Sequence, residues 1–396
     1  MRVSREIRGL LLATMALSLA PFDAMAIPAF ARRYKVTCAL CHNPMPTLTD
    51  FGERFAANGY RMASGEAMPD SIGTNDPLLS LPDKLPLAVR LDLYAQAYAN
   101  GKAATDFQSP YGLKLMSGGA ISKKLSYYFY TFLAERGEVG GIEDAFIYVN
   151  DIGNRPFDLA LGQYQVSDPL FKRELRLEFE DYAVYRARVG DVPVDLTYDR
   201  GLMAAAELGG FTITGEILNG NGIGPAQPDR HFDNDAAKNF FLHATGDLIG
   251  GVRLGLFGYT GRSSVEGLRN QTRMIGADAT FSRGILELNG QFIHRTDSRP
   301  TYTQGEPEVA LDGGFGELIV RPPGGRWYGF GLYNLVTTDQ PMLNVRLGGP
   351  AGVRRHETIS AGFGRLERRN FRWTAEAAYD TQQEVWRWTF GFVTAF

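Results

Sequence analysis

The sequence predicts an all-β chain: an outer-membrane β-barrel of about sixteen strands, with a small α-helical segment ahead of it. Three observations carry that expectation. Leu87, Val89, Leu91, Leu93, Ala95 and Ala97 alternate with Ala88, Arg90, Asp92, Tyr94, Gln96 and Tyr98, one face apolar and the other polar. A repeat of two held over about ten residues is how a membrane-spanning strand reads. Connections between such stretches alternate between tight turns and, for the most part, long loops. The chain also ends on Trp386, Trp388, Phe390, Phe392 and Phe396, interleaved with Arg387, Thr389, Gly391 and Ala395. That is an aromatic-girdled closing strand, which sets this reading above a water-soluble sandwich.

The N-terminal residues form a leader. Arg2, Arg5 and Arg8 precede the apolar run Leu10–Ala20, and Ala24-Met25-Ala26 supplies an A-x-A site. These predict a secretory signal peptide over residues 1–26, with an apolar run too short for a comfortable membrane anchor.

Residues 27–83 are read as a haem-bearing segment. Its centre is Cys38-Ala39-Leu40-Cys41-His42, which contains the chain's only 2 cysteines. C-x-x-C-H is the attachment signature of c-type haem: two thiols to bond two vinyl groups, and an imidazole placed to ligate the iron. Zinc would need further ligands at short spacing, and the 5 histidines supply no partner pair. A redox dithiol belongs in a βαβ context, which is absent. Thr47-x-x-Asp50 reads as a capping-box helix start, Leu48, Phe51 and Phe55 as one apolar face, and Asn58-Gly59 as the stop. Met62 and Met68 stand at workable separations for a sixth iron ligand, and Met62 is the candidate; Met45 is too close to His42 to fold back. Roughly 45 residues separate His42 from the first strand, a size that needs a staple. We therefore expect the segment to lean on the barrel lumen or rim.

Residues 84–396 are the barrel. After Leu87–Ala99, strands are expected near Tyr111–Ile121, Leu125–Arg136, Ile142–Val149, Phe157–Tyr164, Asp195–Leu208, Phe211–Leu218, Asn239–Asp247 and Val252–Tyr259. The rest fall near Thr272–Phe281, Ile285–Arg295, Ala310–Arg321, Arg326–Thr337, Arg354–Leu366, Phe371–Thr381 and Val385–Phe396. Tight turns at Ser122-Lys123-Lys124, Gly209-Gly210 and Ser282-Arg283-Gly284 mark the periplasmic side. Composition agrees, with 46 Gly, 18 Tyr and 25 Phe in 396 residues and a net charge of -3. No basic surplus or motif points to nucleic acid.

The signal peptide, the single C-x-x-C-H and the barrel together resemble the fused cytochrome–porin family, whose best-known members are outer-membrane iron oxidases. The matching text is Pro28-Ala29-Phe30-Ala31-Arg32, Cys38-x-x-Cys41-His42, Pro46, and Phe51-Gly52-x-x-Phe55-x-x-Asn58-Gly59-Tyr60. The barrel half is similar to phosphate-selective porins through Leu161-Gly162-Gln163-Tyr164, Tyr198-Asp199-Arg200-Gly201 and Asn219-Gly220-Asn221-Gly222, a weaker signal.

The resemblance implies an oxidoreductase-type electron conduit: one covalent haem c, extracellular Fe(II) as donor, a periplasmic cytochrome or other carrier as acceptor, outer-membrane lipid around the barrel. The competing reading is a diffusion porin with a haem-bearing plug or redox gate; Arg90, Asp92, Tyr94 and Gln96 would line its lumen. Electron export is a third, with the opposite direction of flow. Two further features invite roles. Asp229, His231, Asp233 and Asp235 sit at alternate positions of an outer loop, although Arg230 among them opposes cation binding. His243 alternates with Phe240 and Leu242 so as to face the lumen.

Overall fold

A computed structural model describes residues 29–62, 75, 76, 79, 86–99, 104–233, 235–345 and 349–396. The signal peptide, Met68, Asn234 and the expected boundary between residues 83 and 84 lie outside them.

The strands, in chain order, begin with β1 (Leu87–Tyr98), β2 (Thr105–Ala120), β3 (Leu125–Glu135), β4 (Ile142–Val149), β5 (Phe157–Gln165) and the short β6 (Ala187–Val189). Next come β7 (Tyr198–Leu208), β8 (Phe211–Leu218), β9 (Asn239–Asp247), β10 (Val252–Val265), β11 (Leu268–Arg283), β12 (Leu286–Asp297), β13 (Val309–Val320) and β14 (Trp327–Thr338). Short β15 (Leu343–Val345) and β16 (Ala351–Val353) precede β17 (Arg355–Arg368), β18 (Phe371–Asp380) and β19 (Val385–Ala395). Sixteen of them close into one antiparallel barrel, each beside its sequence neighbour, with β1 paired to β19. Closure leaves no edge with unpaired backbone, the condition for crossing lipid.

Burial runs opposite to that of a water-soluble protein. Ile275 is 65% exposed and Leu256 68%, while Asn270, Thr272, Asp297 and Asn334 are fully buried. Apolar side chains face out and polar ones face in, strand after strand. The outward face carries aromatic groups at two levels. Trp327, Phe363, Trp373 and Phe390 pack together near the end where the chain terminates, and Tyr379, Trp386 and Trp388 near the other. At the closing seam Tyr94 lies opposite Gly391, where any Cβ would meet its ring at 2.1 Å.

Two differences from the sequence reading have local causes. The expected strands Val252–Tyr259 and Thr272–Phe281 leave a loop between them, but β10 and β11 run on until Glu266-Gly267 joins them directly, with both residues at positive φ. The strands there run beyond their neighbours and close on a tight turn above the barrel wall. The second difference is the stretch from 166 to 197. It folds into the barrel, and Tyr185, Val189, Val192 and Leu177 are buried there. Its β6 pairs with β15 in a three-stranded sheet with β16.

Candidate functional site

The N-terminal segment is a compact plug made of α1 (Ala29–Tyr34), a 3-10 turn (Cys38–Leu40) and α2 (Asp50–Ala57). The helix start differs from the expected one. Thr49, not Thr47, is the N-cap of α2, accepting from the Gly52 N–H at 3.2 Å. Thr47 is drawn away because its hydroxyl donates to the Leu175 carbonyl of the inserted loop at 3.1 Å. The stop is as expected. Gly59 takes a φ of 62°, and a Cβ there would meet Ser126 Oγ at 2.5 Å. Phe55 is buried against Phe30 and Tyr34, with ring centroids 5.2 and 5.6 Å away.

The plug is tied to strands all round one mouth of the barrel. Tyr60 stacks on Tyr128 of β3 at 4.5 Å. Arg61 donates to the Lys123 carbonyl at 2.6 Å and pairs with Asp151 at 3.0 Å. Glu53 meets Arg253 of β10 at 2.9 Å, and Arg321, just past β13, donates to the Asn43 carbonyl at 2.7 Å. Arg32 donates to the Leu87 carbonyl at the start of β1. Met45 is buried with Tyr94 of β1 and Val393 and Ala395 of β19.

Within the plug, Cys38-Ala39-Leu40 is a single turn capped by Thr37, whose hydroxyl accepts from the Ala39 N–H at 3.0 Å. The His42 N–H donates to the Cys38 carbonyl at 2.8 Å, so both thiols and the imidazole leave one short turn. Cys38 and Cys41 are both free thiols. Burial pushes each thiol up from its ordinary value, and Arg369 tempers that at Cys38. His42 Nδ1 lies 2.9 Å from the Pro46 carbonyl. That contact fixes the ring and assigns Nε2 as the nitrogen that can face a metal. Two unpaired thiols on one turn beside an oriented imidazole fit a c-type haem. Among the described residues no three His, Cys, Asp or Glu side chains gather for a metal ion of another kind.

Above the plug the inserted loop crosses the lumen. Asp181 takes Arg173 as a close partner, with Arg186 at 3.3 Å and Arg176 at 3.5 Å. Burial alone would lift this carboxyl, but the three guanidinium groups outweigh it and hold Asp181 well below the usual carboxylate range. Glu376 of β18 accepts from the Phe179 and Glu180 N–H groups at 2.6 and 3.1 Å. Glu317 of β13 accepts from the Tyr182 hydroxyl at 2.7 Å. Burial, then the carboxylates of Glu317 and Glu376, push Glu178 well above its ordinary value. The sequence reading passed over this loop; its signal was the dense charge of Lys172-Arg173-Glu174-Leu175-Arg176-Leu177-Glu178.

No family model matches the chain, and no curated protein matches it. Solved structures do. The anion-selective porin from Comamonas acidovorans aligns with a TM-score of 0.58 at 13% identity, covering 79% of this chain and 99% of that one. OmpF of Salmonella typhi, in complex with daunomycin, gives 0.57 at 11%, covering 79% and 98%. The outer membrane channel DcaP of Acinetobacter baumannii gives 0.55 at 10%, covering 79% and 97%. The barrel has the porin fold.

In the porin barrel, Asp92, Tyr94 and Gln96 point inward and are buried, with Arg90 beside them pairing with Asp92 at 2.8 Å. His243 faces inward as expected and is buried against Asp278, Nε2 to Oδ2 2.9 Å, an ordinary lining pair. The acidic outer loop stays local. His231 Nδ1 lies 3.2 Å from Asp229, Asp233 pairs with Lys238, and Asp235 accepts from the Ala237 N–H at 2.7 Å. Met62 follows the Arg61 clamp and is half-buried.

Proposed function

We propose that this chain is an outer-membrane porin whose periplasmic mouth is filled by a haem-bearing plug, so that the redox group is built into the channel's gate. The observation that carries it is the seating of the C-x-x-C-H turn in a plug bonded to strands around the whole mouth. Cys38 and Cys41 would hold the haem covalently and His42 would ligate its iron through Nε2, with Met62 as the candidate sixth ligand. Such a group supplies one-electron exchange. The chain's own residues supply the rest: Pro46 orients the imidazole, Phe30, Phe55 and Tyr60 keep the plug apolar, and Arg61 and Glu53 hold it in place. One structural neighbour is an anion-selective porin and another an outer membrane channel, which supports passage of small solutes.

A second reading is favoured by the contact between the plug and the inserted loop, Thr47 to the Leu175 carbonyl at 3.1 Å, next to where Arg90 of wall strand β1 donates to the Glu174 carbonyl at 3.3 Å. These contacts join the plug to groups deep in the lumen, which suits an electron port. Its concrete form, implied by the resemblance, is extracellular iron oxidation: one Fe(II) becomes Fe(III), and one electron ends on an oxidised periplasmic carrier. Two measurements separate the readings. Haem staining of a denaturing gel should mark the wild-type band and lose it in a Cys38→Ser, Cys41→Ser variant; an unstained wild-type band from attachment-competent cells ends both. Fe(II) added outside to proteoliposomes should then reduce the haem, followed by its absorbance spectrum, if the port reading holds, whereas solute flux without such reduction leaves the gated porin.

A further inference from the structure

At the barrel end opposite the plug, β10 and β11 rise above their neighbours and carry arginines on the outward face. Arg262 lies opposite Gln271, with Arg273 and Arg269 opposite the residues two positions before and after it. Diagonal neighbours on one face sit about 7–8 Å apart between strands, so the three form one cluster. Arg299, just beyond β12, joins it by donating to the Arg269 carbonyl at 3.5 Å. The intervening residues Asn270 and Thr272 are fully buried, which fixes the arginines outward.

Charge balance sets this patch apart from two other basic groups of the rim. His294 is paired with Asp312 at 2.8 Å and Arg355 with Glu357 at 2.9 Å. Among the described residues none of the four arginines has a carboxylate within salt-bridge distance; Arg262 is held only by Gln271, at 3.0 Å. The hairpin's own acid, Glu266, sits at its tip, beyond the cluster. Immediately below Arg273 the same face turns apolar, through Ile275, Leu242 and Leu256.

A cluster of uncompensated guanidinium groups above an apolar wall matches a ligand with a phosphate at one end and hydrocarbon at the other. Arginine meets phosphate with paired N–H donors, and basic clusters at the edge of a membrane span recruit anionic lipid. We propose that the outer ends of β10 and β11 form a binding site for a phosphorylated outer-leaflet lipid, held by Arg262, Arg269, Arg273 and Arg299. Its hydrocarbon lies on the wall below Arg273, and that wall distinguishes it from free phosphate.

The test uses the purified full-length protein in detergent, with binding followed by native mass spectrometry. Bis-phosphoryl lipid A should bind more tightly than monophosphoryl lipid A, and inorganic pyrophosphate should bind far more weakly than either. Replacing Arg269 and Arg273 together by alanine should weaken lipid A about 25-fold, at roughly fivefold for each cation removed. An Arg355→Ala control, on the same rim but neutralised by Glu357, should leave affinity unchanged. Heat-dependent gel mobility confirms that each variant keeps its barrel. Equal affinity in the double variant, or pyrophosphate binding as tight as lipid A, overturns the proposal.

Discussion

Asp181 stands among three guanidinium groups, and its removal should be felt through all of them. Breaking a buried ion pair by deleting one partner costs about 3–5 kcal/mol, because the remaining charge stays buried. An Asp181→Asn variant should therefore show faster hydrogen exchange across residues 172–186 while the strands keep their protection. Acid should not reproduce that effect. A carboxyl held below its unfolded value contributes fully above the ordinary carboxylate range, and the contribution fades only as pH falls through the depressed folded value. Glu178 has the opposite sign. Its folded value is raised, so its contribution is complete at acidic pH and is lost as pH climbs through that value. Exchange in the loop, corrected for the intrinsic pH dependence, should quicken as pH rises above the ordinary carboxylate value, and Glu178→Gln should flatten the rise.

The plug is the element on which the proposed gating turns, and its clasp is open to test. A stacked aromatic pair contributes about 0.5–1.5 kcal/mol beyond its buried area. Tyr60→Ala removes such a pair, and Gly59→Ala adds left-handed strain of about 1–2 kcal/mol together with the collision at Ser126. Either change should raise single-channel conductance in planar bilayers by loosening the plug, with haem stain retained. A conductance no higher than wild type would place the gate elsewhere. The strands of the wall were legible because lipid enforces a strict period of two: Leu87 to Tyr98 shows its outward and inward faces in the letters alone. The motif Cys38 to His42 was equally plain, being local chemistry. The inserted loop was not. Its buried charges are matched by Glu376 and Glu317, well over a hundred residues on, and without those partners the run reads as a solvated loop. Thr47 shows the same effect in small, since a distant carbonyl took it out of the helix cap.

For the molecule as a whole, plug and barrel should differ in their independence. Removing residues 27–83 should leave a barrel that still folds, because each of its sixteen strands pairs only with other wall strands. It should conduct more than the intact protein. The plug expressed alone should unfold without cooperativity, since Tyr60, Arg61, Met45 and Glu53 each give contacts to the wall that the isolated plug would lose. A stable isolated plug, or a truncated barrel that fails to form, would separate the two units differently.

The position of Met45 also bears on the order of assembly. It lies across the junction of the first and last wall strands, packed on Tyr94, Val393 and Ala395 at once. That junction cannot exist until the final residues have been translocated and paired, whereas the plug is synthesised before any strand. The N-terminal residues must therefore wait outside the wall and be enclosed as the cylinder zips shut around them. The seam then records whether its cargo was on board: a chain lacking the plug closes on an empty notch beside Val393, and one bearing it closes on Met45.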